Sequence, residues 1–139
     1  MTPKQVERLF EQHVESLKGL PIRLQDTKDA KGSLLKANPS DYVCVYNTGI
    51  VFSEVKSFRD PKRFPFKNIE GSQLTYSALI TRLTQPYLFY IFHVLTNTWY
   101  KVPAEIILSK FKLGVKSLTL EELKAYFYYT EDTKNVSSF

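Results

Sequence analysis

Asp41, Glu54 and Lys56 supply two carboxylates and an ammonium, spaced around a turn signal that would gather them at one spot. The stretch reads Pro39-Ser40-Asp41-Tyr42-Val43-Cys44-Val45-Tyr46-Asn47-Thr48-Gly49-Ile50-Val51-Phe52-Ser53-Glu54-Val55-Lys56. Runs of β-branched and aromatic residues flank Asn47-Thr48-Gly49, the composition of a β-hairpin. Folding the chain at Asn47-Thr48 sets Asp41 opposite Glu54, to within about a residue. Side chains alternate along a strand, so Glu54 and Lys56 share a face. Such a cluster suits a hard divalent cation, Mg²⁺ or Mn²⁺ in its place, which takes oxygen ligands and often few carboxylates. Asp41 and Glu54 would supply the carboxylates and Val55 a backbone carbonyl. The cation would polarise a phosphodiester and lower the pKa of its bound water. Lys56 would orient that water or offset the charge growing at phosphorus. The plainer reading is a surface hairpin with one ion pair, and Glu-x-Lys alone does not exclude it.

The next segment, Lys56 to Lys67, sets five bases against one acid, interleaved with aromatics and prolines. Pro61 and Pro65 exclude a regular helix or a central strand. Arg59, Lys62, Arg63 and Lys67 are placed to neutralise phosphates, while Phe64 and Phe66 pack beneath the loop or stack on a base. Lys28, Lys31 and Lys36 form a second basic group in the polar stretch from Asp26 to Asn38. Positive charge therefore brackets the hairpin. A net charge of +5 favours polyanionic partners.

These residues resemble the PD-(D/E)XK nuclease superfamily, and within it the RecU-like and archaeal Hjc-like Holliday-junction resolvases. The RecU-like pattern has an acid at a strand start, acid-x-Lys on the next strand, a Phe-Pro-rich linker and a helix carrying Gln. Here they are Asp41, Glu54-Val55-Lys56, Arg63-Phe64-Pro65-Phe66-Lys67-Asn68-Ile69 and Gln73. The likeness runs from about Val6 to Leu108 and is densest from Pro39 to Gln73. Ser40 departs from the superfamily's Pro-Asp dipeptide, but the Asp is kept. The resemblance implies a Mg²⁺-dependent DNA endonuclease of recombination and repair, acting on branched DNA as a homodimer. It also implies that Gln73 supports the site and that an early helix carries another acid.

That helix is legible from Lys4 to Lys18, with Val6, Leu9, Phe10, His13, Val14 and Leu17 on one stripe. Pro3 suits its first turn. At about 100° per residue, Glu7 borders the stripe, Glu11 lies farther round and Glu15 points to solvent. Glu7 is the better candidate because an acid serving a site beside the core sits at the stripe's edge. Glu11 stays in reserve, since Phe10-Glu11 matches a pair seen in other resolvases. His13 and His93 are read as packed side chains.

At 139 residues the chain is expected to be one nuclease domain (1–139), its last nine residues (131–139) fraying. The longest apolar stretch, Tyr87 to Leu95, is too short to span a bilayer and reads as a buried strand. No signal-peptide pattern precedes it, and the one cysteine, Cys44, gives no disulfide framework or zinc cluster. The expectation is an intracellular protein of the cytoplasm or nucleoid, bacterial or phage-encoded, with no membrane partner. Element order is helix (3–18), strand (20–25), loop, hairpin (41–46 and 50–57), helix (72–83, capped by Ser72), strands (86–95 and 98–102) and short helices. One of these runs from Pro103 to Leu108 and another follows a Thr119/Glu122 capping box. The fold class is α/β, a central mixed β-sheet flanked by helices in a restriction-endonuclease-like core. Two competitors to a resolvase remain: a duplex- or fork-directed DNA nuclease of a phage or mobile element, and a catalytically silent nucleic-acid-binding module. The first gains from the lack of room for the stalk of RecU-like resolvases. The second loses from uncompensated carboxylates, which a surface built only to bind phosphate would not favour.

Overall fold

The computed structural model describes residues 1–24 and 38–137. Helix α1 (Pro3–Ser16) begins at Thr2, whose hydroxyl accepts the N–H of Gln5 while the Gln5 side chain accepts that of Thr2. It ends where Lys18 turns to a φ of 63° and Gly19 follows. A Cβ on Gly19 would meet the Tyr46 ring at 2.6 Å, so only glycine lets the chain turn here. Strand β1 (Leu20–Arg23) then pairs antiparallel with β2 (Tyr42–Tyr46), which forms a hairpin with β3 (Gly49–Phe58).

A basic crossover follows: β4 (Arg63–Pro65), a 3₁₀ turn (Phe66–Asn68) and α2 (Gly71–Arg82). It returns the chain to β5 (Tyr87–His93), which lies parallel to β3, as a connection of this length permits. The remainder comprises β6 (Thr98–Pro103), α3 (Ala104–Lys112), β7 (Ser117–Thr119), α4 (Leu120–Lys124), β8 (Phe127–Thr130) and α5 (Thr133–Ser137). The main sheet is mixed, in the order β1-β2-β3-β5-β6-β8, and β4 pairs with β7 in a separate ribbon.

Strand alternation divides the core between the two faces of the sheet. Val6, Leu9, Phe10 and Val14 of α1 pack with Tyr42, Cys44, Val55, Phe92 and Trp99. Phe58, Phe89, Ile91 and Val102 look the other way, toward Phe64, Phe66, Ile107, Leu118 and Leu123. Glu54 and Lys56 keep step with Phe58 and belong to this second face. The fold is thus the expected α/β mixed sheet between helices.

Several boundaries shift. Helix α2 starts one residue early, with Glu70 rather than Ser72 at its N-cap. Helix α3 continues past Leu108 because Phe111 stacks on Phe66, with centroids 4.9 Å apart. The aromatic tail forms an edge strand on β6. At the start of the tail, Glu131 is buried and accepts the Trp99 indole N–H at 2.9 Å, with α5 following. Residues 138 and 139, like Lys28, Lys31 and Lys36, lie outside the described residues. His93 is packed, bonded to Thr96 and the Asp60 carbonyl, and burial pushes the Cys44 thiol up to about 11. No helix among the described residues is long and apolar enough to cross a membrane.

Candidate active site and metal centre

The hairpin register pairs Tyr42 with Ser53 and Tyr46 with Gly49 around Asn47-Thr48. One step further, Asp41 falls opposite Glu54. The backbone ladder stops there and side chains take over. The Asp41 N–H donates to Glu54 Oε1 at 3.1 Å, and the Val55 N–H donates to Asp41 Oδ2 at 2.9 Å. The Asp41 carbonyl meanwhile accepts the Leu24 N–H at 2.9 Å, so β1 fixes the residue from its other side. Each carboxylate is held by the other's strand.

Glu54 is only 1% exposed. Its Oε1 also accepts the Tyr87 hydroxyl at 3.2 Å, and its Oε2 accepts Gln73 Nε2 at 2.8 Å. Burial, reinforced by the charge of Asp41 and opposed by Lys56, pushes its carboxyl up to about 9. Gln73 spans two duties, because its Oε1 accepts the Glu70 N–H at 2.9 Å and caps α2. The Lys56 ammonium donates to the Asn68 carbonyl at 3.0 Å.

Strand β3 runs on to Phe58 while β2 begins only at Tyr42, which leaves the edge of β3 beyond Asp41 open toward α1. Glu7 enters there. It lines one pocket with Pro3, Val6, Val55, Lys56, Ser57 and Asn68. Arg23 holds it in a two-pronged ion pair, both N–O distances 3.3 Å. Glu11 instead accepts the hydroxyl of the fully buried Tyr42, raising that hydroxyl's pKa further above the ordinary range to which burial first lifts it.

Among solved structures, the chain is similar to Hjc, a Holliday junction resolvase from the archaeal hyperthermophile Archaeoglobus fulgidus. The TM-score is 0.53 over 74% of this chain and 78% of that one, at 12% identity. The likeness is one of fold: over that span the chain folds as Hjc does. No protein-family model matches the chain, and no curated protein matches it in sequence.

On this Hjc-like fold, the acid pair fits a hard cation. A nearly inaccessible carboxylate meets a second one, and among the described residues no basic side chain forms an ion pair with either. Among the same residues no group of three or more His, Cys, Asp or Glu gathers, so the donors are two carboxylates and main-chain oxygen. The Val55 carbonyl opens on the edge its own N–H uses to reach Asp41, as strand geometry requires. Oxygen alone, with room for water, is the ligand chemistry of Mg²⁺ or Mn²⁺.

Two participants escaped the sequence reading. Tyr87 binds both Glu54 and the Pro39 carbonyl, the latter at 2.6 Å, yet it opens an apolar strand with no local mark of a polar role. Arg23 registers in sequence only as one more base. Its pairing with Glu7 sixteen residues away is tertiary. In the basic segment, Arg59, Lys62, Arg63 and Lys67 are exposed, and the Asp60 carboxylate accepts the N–H groups of Lys62 and Arg63. Phe64 and Phe66 are buried, so they pack beneath the segment and offer no face to a base.

Proposed function

We propose that this protein is a metal-dependent endonuclease that hydrolyses DNA phosphodiesters, with Holliday junctions or related branched DNA as its substrate. The observation that carries the reading is the close pairing of the half-buried Asp41 carboxylate with the buried Glu54 carboxylate, with Lys56 on the same sheet face.

Asp41, Glu54 and the Val55 carbonyl would hold Mg²⁺, or Mn²⁺ in its place, supplying a Lewis acid that polarises the scissile phosphodiester and acidifies the attacking water. Gln73 and Tyr87 lock the Glu54 carboxylate in one orientation, so no reorganisation is needed when charge develops. Lys56 spends one of its three N–H donors on the Asn68 carbonyl, which leaves two for the attacking water or a phosphate oxygen. Glu7, steadied by Arg23, shares a pocket with Val55 and Lys56 and can accept a proton there. A homodimer would present two such sites and so nick two opposed strands.

A gel assay on a four-way junction, a fork, linear duplex and single strand, with and without Mg²⁺, tests the reading. Cleavage is expected only with the divalent ion and preferentially on the junction. Asp41→Asn, Glu54→Gln and Lys56→Ala should each lower the rate by roughly 100-fold or more. An inactive wild type on every substrate, or a fully active Asp41→Asn, would refute it. Preference for duplex or fork would shift the substrate class while keeping the chemistry, and sedimentation decides the dimer.

A further inference from the structure

The pocket shared by Glu7 and Lys56 does not end at the catalytic residues. Pro3, Ser57 and Asn68 line it and also line a second hollow, continued by Phe58, Arg59, Asp60, Pro65, Lys67 and Val94. Its chemistry differs from that of the acid pair. Its apolar lining comes from Met1, Pro3, Pro65, Val94 and the buried Phe58 and Phe64. The rim carries two cations, Arg59 and Lys67, and the neutral polar groups Ser57 and Asn68. Asp60 is the one acid there. Its carboxylate is committed to the Lys62 and Arg63 N–H groups at 2.8 and 3.1 Å, so its charge is partly quenched within its own turn.

Apolar lining, polar edge and paired cations together are what one nucleotide unit presents in complement: a base face, hydrogen-bonding edges and a phosphate. We infer that this hollow is a subsite for the nucleotide next to the scissile phosphate, its phosphate on Arg59 and Lys67 and its base on the Pro3, Pro65 and Val94 lining. The inference rests on the nuclease reading for its place beside the cut, but the binding it describes can be measured without cleavage. It divides the four bases of the segment by position. Arg59 and Lys67 face the hollow, whereas Lys62 and Arg63 line neither compartment. Arg59 already donates to the Met1 carbonyl at 3.1 Å, which holds its guanidinium at the rim instead of leaving it to sweep through solvent.

Two charge-matched double variants test this in metal-free buffer, using binding to a labelled four-way junction as the readout. Arg59→Ala/Lys67→Ala should weaken binding by about tenfold or more and lower the slope of log affinity against log salt by roughly 2. Lys62→Ala/Arg63→Ala removes the same charge outside the hollow and should weaken binding by less than about threefold. All four side chains are exposed, so both variants should keep the wild-type melting temperature. After the cut is mapped with Mg²⁺, abasic substitution at one of the two flanking nucleotides should weaken wild-type binding by about tenfold, the size of one lost base contact. Equal losses from the two double variants, or no abasic effect within two nucleotides of the cut, would overturn the subsite and leave the nuclease reading standing. Absence of cleavage with the difference between the double variants intact would overturn the nuclease reading, and with it the place beside a cut, while leaving the hollow as a nucleotide-binding site.

Discussion

Asp41 and Glu54 restrain each other through the main chain: the Asp41 N–H binds the Glu54 carboxylate, and the Asp41 carboxylate binds the N–H that follows Glu54. Two acids are thereby fixed close together, Asp41 half-buried and Glu54 nearly cut off from water. The folded protein bears that strain whenever both are ionised.

A pH dependence follows for the metal-free protein. The Glu54 carboxyl rises from its ordinary 4.5 to about 9 on folding, so the folded state binds more protons between those values. Its contribution to stability is complete below about pH 4.5 and is lost as pH climbs through about 9. His13, held below its usual value by burial, works oppositely near pH 6.5, its unfolded form taking up the proton. Comparing Tm across pH 5 to 9 in wild type and Glu54→Gln cancels the histidine. The wild-type curve should fall with rising pH relative to the variant, and parallel curves would show that the pair is not strained.

Divalent ions should relieve the same strain. Mg²⁺ at about 100 times its Kd adds roughly 2.7 kcal/mol by mass action, if the unfolded chain does not bind it. Thermal melting with and without Mg²⁺ should show this gain for wild type at pH 8 and none for Asp41→Asn. Calorimetry in buffers of different ionisation enthalpy should detect proton release on binding at pH 7, because Glu54 gives up its proton as the ion arrives. Equal Tm gains in wild type and Asp41→Asn would place the ion elsewhere.

Gln73 joins the start of α2 to Glu54, so its loss should be felt twice. Gln73→Ala is expected to cost about 1 kcal/mol of stability through the helix cap. It should also slow cleavage by about 10- to 100-fold as the carboxylate loses its orienting donor. Urea unfolding and single-turnover cleavage read the two effects separately. A stability loss without a rate loss would reduce Gln73 to a cap.

The hairpin and acid pair were legible because they are local: turn composition and strand alternation alone set Asp41 against Glu54. Gln73 lay nineteen residues beyond, and only the family likeness gave it a role that the structure expresses as a hydrogen bond. Tyr87 and Arg23 were not legible, since their partners are fixed by the parallel β3–β5 crossover and the packing of α1. The anchoring of Glu131 was hidden for a related reason. Glu131 looks like a solvent residue until Trp99, thirty-two positions earlier, is known to need an acceptor.

The choice between the helix acids can be put to the test. Glu7 sits in the Lys56 pocket and its pair with Arg23 is partly exposed, so Glu7→Gln should slow cleavage at least about tenfold with stability nearly unchanged. Glu11→Ala should do the opposite, costing about 1–3 kcal/mol by stranding the buried Tyr42 hydroxyl while the per-molecule rate stays near wild type. Reversal of the two outcomes would make Glu11 the participating acid.

The tail provides the last expectation. Glu131 takes hydrogen bonds from the Trp99 indole and the Tyr129 hydroxyl, at 2.9 and 2.7 Å, through the same oxygen. Trp99 is buried against Phe10 and Phe92, so an indole N–H without its acceptor would remain dry. Glu131→Ala should therefore destabilise the fold by about 1–3 kcal/mol, and Glu131→Gln, which keeps an acceptor, by clearly less. Chemical denaturation followed by Trp99 fluorescence measures both, the chain having a single tryptophan. If the two variants unfold at the same denaturant concentration as wild type, the carboxylate is a passive neighbour and the tail is held by the β6–β8 pairing alone.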